Sequence, residues 1–255
     1  MLSTKIKHIS NNIELHVLDL IHLTPEIIKQ LNDNIVEICE GDSTSPLTLV
    51  KKNFHSFLAT KDKRTQIGAV AEFFVHLYLR QCNLKQEFLF FNLEEGSIKK
   101  GFDGFFSSET QEYLVESKSG VDTTLGISHK RKLKEAYDDI SSVISGNSRK
   151  SQNNPWRNAY NHACHVDVGT NKSIRVRIKE LSDMFDRDEF GNPNNFNIIP
   201  CSSIFIESEW TSKTSQEILE EDDVFFTSLN AKSIKALCIT KASYESFLIY
   251  LKDEL

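Results

Sequence analysis

Two neighbouring apolar strands that each carry a carboxylate constrain this chain more than any other feature. Gly101-Phe-Asp-Gly-Phe-Phe is followed, after the polar stretch SSETQ at 107–111, by Tyr113-Leu-Val-Glu-Ser-Lys. Side chains alternate between the two faces of a strand. Glu116 and Lys118 therefore project together, and Ser117 points away. A short polar connection makes the two strands a hairpin, which sets Asp103 beside the other two. Charges in such apolar surroundings are costly unless they are paired or bound to a cation.

This pattern supports two readings. In one, Glu116 and Lys118 form an ordinary salt bridge at a sheet edge, and Asp103 sits in a turn between glycines. In the other, the hairpin is a metal centre. The carboxylates of Asp103 and Glu116 and the backbone carbonyl of Ser117 are hard oxygen ligands, a set that suits Mg²⁺ or Mn²⁺. Lys118 would then orient or deprotonate an attacking water and offset charge on a phosphate. Glu72 bears on the choice. It lies in a predicted helix whose apolar residues Ile67, Val70, Ala71, Phe74, Val75, Tyr78 and Leu79 recur at three- and four-residue spacing. It either reaches the same cation or occupies a solvated edge of that helix.

The rest of the chain alternates helices and strands. Residues 13–20 read as an edge strand. A helix follows, with Thr24 as its N-cap, Pro25 in its first turn and Gly41 after its end. Further helices are expected over 47–58, 65–81, 128–144 and 242–252. Strands are expected over 87–92, 98–106, 112–118, 202–208 and 235–240, and 145–158 reads as a loop. This order predicts an α/β fold, a mixed sheet with helices on both faces. Residues 1–60 read as a mainly helical N-terminal elaboration. Residues 61–255 read as the core, and the two are expected to form one compact unit.

With 39 % hydrophobic and 26 % charged residues among 255, a packed core is expected and global disorder is not. The five cysteines are scattered and never in C-x-x-C spacing, which points to a reducing cytoplasm without a disulfide framework. The first residues lack the apolar run of a signal peptide, and no stretch reaches the length needed to span a bilayer. The net charge of −6 argues against a protein that coats nucleic acid. The charge is unevenly spread, however. Residues 125–180 hold 11 Lys/Arg against 5 Asp/Glu, whereas 181–255 hold 6 against 14. A basic middle inside an acidic protein is what a local DNA groove would produce. Lys130, Arg131, Lys132 and Lys134 open the helix after the hairpin and are the candidate phosphate contacts; the alternative is a solvated helix face.

Gly68-x-x-x-Glu72 on a helix, then Phe102-Asp103-Gly104, then Val115-Glu116-Ser117-Lys118, resembles the PD-(D/E)XK nucleases. More narrowly it resembles the HamA family, the nuclease subunits of the Hachiman anti-phage defence pair, and the related AbpA proteins. The likeness covers roughly residues 65 to 144. The position before Asp103 is Phe102 rather than the proline of the superfamily's name. The resemblance implies a restriction-endonuclease-like fold and Mg²⁺-dependent (or Mn²⁺-dependent) DNA cleavage in the cytoplasm. It implies Asp103 and Glu116 as metal ligands, Lys118 as the catalytic lysine and Glu72 as the helix carboxylate. It also implies a helicase-type partner subunit. No membrane association is expected, and a homo-oligomer is compatible with the sequence. The alternatives are a catalytically inactive DNA- or partner-binding module, and a restriction or junction-resolving nuclease.

Three lesser features have bland readings. His162-Ala-Cys164-His165-Val-Asp167 lacks a second half with zinc-ligand spacing. Trp156 and Tyr160 would either stack on bases or pack under a loop. The acidic run 220–223 reads as a solvated helix end or a partner-facing patch rather than a calcium site.

Overall fold

The computed structural model describes residues 2–92, 97–98, 101–148 and 154–253. Parts of the expected strand 98–106 and of the loop 145–158 lie outside these residues. The strands are β1 (Thr4–Ser10), β2 (Ile13–Leu20), β3 (Lys85–Gln86), β4 (Phe91–Asn92), β5 (Ser97–Ile98), β6 (Gly104–Ser107), β7 (Glu112–Val121), β8 (Asn197–Ile206) and β9 (Ser233–Ala242). Seven of them form one sheet in the order β1-β2-β9-β8-β7-β6-β3, and β4 and β5 form a separate pair. The centre, β2-β9-β8-β7, is parallel, and both margins are antiparallel. The sheet is therefore mixed, as expected.

Helices cover both faces. Strand alternation divides the core in two. One layer holds α1 (Pro25–Glu40), α2 (Leu47–Ala59), α3 (Lys63–Gln81) and α9 (Glu245–Lys252), packed on Leu18, Tyr113, Val115, Cys201, Phe205 and Ile239. Its centre is aromatic: the Phe54 and Phe73 rings lie 5.5 Å apart, and those of Phe73 and Phe247 5.0 Å. The opposite layer holds α4 (His129–Ile144), α5 (Pro155–Ala163), α6 (Lys172–Asp186), α7 (Lys213–Leu219) and α8 (Asp223–Thr227), packed on Leu15, Val17, Phe105, Leu114, Ile198 and Cys238. Side chains two apart on β7 thus belong to the same layer, and Leu114 assigns Glu116 and Lys118 to the α4 side. Among the described residues, no helix is long and apolar enough to cross a membrane.

Several elements depart from the sequence reading. The edge strand is β1, not 13–20; β2 is second and pairs in parallel with β9. The expected strand 87–92 leaves only β4, because Glu87, Phe88, Leu89 and Phe90 are buried as an irregular connection. The strand expected from 98 starts in the sheet only at Gly104. The loop 145–158 gives way to α5 at Pro155, where Asn154 caps the Trp156 and Arg157 N–H groups. Strand β8 begins at Asn197, upstream of the expected 202, and runs through Pro200. A proline has no N–H to give a ladder. The β8–β9 pairing is interrupted between Ile198 and Cys201, where Pro200 lies.

Candidate metal centre

The hairpin β6–β7 forms as expected, and its register places the candidate residues. Gly104 pairs with Val115, and Phe105 with Leu114. One further rung places Asp103 across from Glu116, on the face shared by Phe105 and Leu114. The ladder stops at Gly104, and the Ser117 N–H that the next rung would use donates instead to Asp103 Oδ2 at 2.7 Å. Two glycines permit this. Gly101 has φ +127°, a conformation L side chains rarely adopt. A Cβ at Gly104 would stand 2.9 Å from the Phe106 ring and 3.3 Å from Val115 Cβ, so glycine lets the strand lie close to β7.

Glu116 is 8 % exposed. Burial pushes its carboxyl up to about 8, and the negative charge of Asp103 adds to the rise against the attraction of Lys118. The Lys118 ammonium bridges two carboxylates, Glu116 on its own strand and Asp139 Oδ2 on α4 at 2.9 Å. Burial alone would lower the lysine. The charges of Glu116 and Asp103, with the hydrogen bonds to Glu116 and Asp139, outweigh it and hold the ammonium above the usual lysine range. Asp139 carries no signal in the sequence: it is one of two adjacent aspartates in α4, and its neighbour Asp138 pairs with Lys134.

Glu72 is buried at 4 % exposure, not solvated. It comes from the α3 layer, on the other side of the sheet from Glu116. Its Oε1 lies 3.7 Å from His76 Nε2, and that nitrogen lies 3.4 Å from the backbone oxygen of Asp103. The structure therefore brings Asp103, Glu116 and Lys118 together, adds Asp139, and links Glu72 to Asp103 through His76.

The donor chemistry fits a hard cation. Among the described residues, no group of three or more His, Cys, Asp and Glu side chains is arranged to hold a metal. The hairpin offers two carboxylates, the charge of Asp103 raises the proton affinity of Glu116, and a cation relieves that repulsion. In a strand the N–H and C=O of one residue point to the same side, so the Ser117 carbonyl shares the edge on which Asp103 lies. Two carboxylates and a carbonyl suit Mg²⁺, which keeps several waters; they do not suit a closed structural zinc site.

The four basic residues of α4 are all ion-paired. Lys130 reaches Glu221 at 2.7 Å; Arg131 and Lys132 share Glu135 at 3.1 and 2.7 Å; Lys134 pairs with Asp138. Lys132 lies nearest β7, with its Cε 3.7 Å from where a Gly120 Cβ would stand. Lys130 faces the other way, towards the ring of Phe225. The acidic run is correspondingly engaged: Glu221 holds Lys130, Asp222 caps α8, and Asp223 meets Lys7 at 2.8 Å. Trp156 is buried between Phe102 and Phe196, which favours its packing reading. His162 packs on Phe88, and Cys164 is exposed.

No curated protein matches the sequence. A family model described as HamA matches residues 2–254, nearly the full length. The match extends well beyond the stretch 65–144 that carries the motif. The chain belongs to the HamA family of Hachiman anti-phage defence proteins.

Proposed function

We propose that this protein is a metal-dependent nuclease that hydrolyses DNA phosphodiester bonds from the Asp103–Glu116–Lys118 hairpin. The observation that carries the reading is the Asp103 carboxylate held on the Ser117 N–H at the end of the hairpin, close enough to act electrostatically on Glu116, with a charged lysine two residues on. A lone salt bridge does not account for a second, half-buried carboxylate held against the Ser117 amide.

In this reading Asp103, Glu116 and the Ser117 carbonyl hold the cation. A bound Mg²⁺ or Mn²⁺ supplies Lewis acidity and neutralises phosphate charge. Lys118, kept protonated by the surrounding carboxylates, donates hydrogen bonds rather than accepting a proton. It orients the attacking water and offsets charge gathering on the phosphate oxygens. Glu72 supports the centre from behind through His76 and the Asp103 backbone. Lys132, beside Gly120, is the member of the basic run best placed to meet phosphate next to the hairpin, with Lys130, Arg131 and Lys134 further out. Phosphate contact requires these cations to exchange their present carboxylate partners.

The acidic body implies modest unaided DNA affinity. Together with family membership, this supports action as a cytoplasmic defence subunit with a helicase-type partner that delivers or restrains it. The test is degradation of duplex DNA by the purified protein in Mg²⁺ or Mn²⁺, alone and with that partner. Cleavage that EDTA stops and that Glu116→Ala and Lys118→Ala both lose is expected. Unchanged cleavage by either variant would sink the mechanism.

A further inference from the structure

We propose that Asp139 is a positioning residue that keeps Lys118 in the centre once a cation takes the Glu116 carboxylate. This rests on reading the hairpin as a cation-holding nuclease centre. Lys118 makes two ion pairs, to Glu116 and to Asp139 Oδ2 at 2.9 Å. The two partners have different prospects. Glu116 shares the hairpin with Asp103 and has oxygens a cation would claim. Asp139 belongs to α4 and meets the hairpin through Lys118. A lysine held only by Glu116 would lose its anchor when the cation arrives. It would also compete with that cation for the same oxygens. With Asp139 in place, Lys118 keeps one carboxylate throughout.

The fold gives Asp139 little freedom to withdraw. Helix α4 starts at His129, whose ring bonds Ser202 Oγ at 2.8 Å and Thr240 Oγ1 at 2.9 Å. Ser202 is the register partner of Lys118 on the neighbouring strand. Leu133, Ala136 and Ile140 are fully buried in the same layer as Leu114 and Ile198. The helix is thus clamped on both sides of the turn that carries Asp139. The carboxylate reaches Lys118 from a fixed support, on an element separate from the strand that carries the lysine.

The test reads Lys118 directly and needs no DNA. The metal-free protein is pulsed with acetic anhydride, with and without Mn²⁺, and the acetylation rate of Lys118 is followed by mass spectrometry. Wild type is expected to protect Lys118 in both conditions. Asp139→Asn is expected to protect it without Mn²⁺ and to lose about tenfold of that protection when Mn²⁺ is added, the equivalent of ~1.4 kcal/mol. Asp139→Glu should restore protection, which a generic packing role would not require. Thermal melts of each variant check that the fold survives. Calorimetric titration with Mn²⁺ separates the two levels of the argument: no binding by wild type overturns the metal-centre reading itself. Binding, with Lys118 equally protected in wild type and Asp139→Asn, overturns the role of Asp139.

Discussion

Replacing Glu116 with glutamine should stabilise the metal-free protein, with a pH dependence that identifies the cause. Glu116 titrates at about 8 in the fold because burial and Asp103 both disfavour its charge, and that value already includes the attraction of Lys118. The folded value lies above the ordinary 4.5. The folded state therefore binds the extra proton between these limits, and stability is fully present below pH 4.5 and lost as pH rises through 8. At 1.36 kcal/mol per pH unit, the wild type should lose roughly 3–4 kcal/mol relative to Glu116→Gln between pH 5 and pH 8. Urea unfolding of both proteins at those two pH values, in EDTA, measures the difference. Adding Mn²⁺ at pH 8 should then close most of that gap. A cation at a hundred times its Kd contributes about 2.7 kcal/mol to the protein that binds it, and the amide is a poor ligand. Parallel stabilities from pH 5 to 8, or equal stabilisation of both proteins by Mn²⁺, would refute the argument.

Two further outcomes follow from particular side chains. Burial holds the His129 imidazole down at about 3, so its contribution is present above pH 6.5 and lost as pH falls towards 3. Wild type should lose about 2 kcal/mol relative to His129→Asn between pH 6.5 and 5, and only this difference isolates the histidine, because Glu116 titrates in the opposite sense over part of the range. Urea midpoints that shift equally in both proteins would remove His129 from the account. On the surface, Lys132→Gln should lower the salt slope of DNA binding by about one, whereas Lys130→Gln, which breaks the pair with Glu221, should leave it nearly unchanged; the reverse order would place the phosphate path on the other flank of α4.

Much of this was legible because local chemistry dictates it. Thr24, Pro25 and Gly41 bound α1 as their capping preferences require, and the stripe Leu133, Ala136, Tyr137, Ile140 and Ile144 gives α4 its buried face. The i, i+2 spacing of Glu116 and Lys118 placed both on one face, and the register did the rest for Asp103. What was not legible depends on contacts between distant segments. Asp139 and His76 matter through partners that no spacing rule connects to them. Whether Lys130 faces phosphate or Glu221 is decided by a residue 91 positions away. Helix α6 was missed in the sequence, although the spacing of Ile174, Ile178, Leu181 and Phe185 carries a helical signal. Pro200 concealed the start of β8, because only the pairing with β9 shows that a missing N–H is tolerated there.

The most direct measurement is the manganese anomalous signal from crystals of the protein soaked in Mn²⁺. A peak is expected within roughly 2.0–2.3 Å of carboxylate oxygens of both Asp103 and Glu116, the range for a hard divalent cation on oxygen. It should be absent in Glu116→Gln. A manganese site elsewhere in a protein that still cleaves DNA would contradict the assignment of the hairpin as the metal centre.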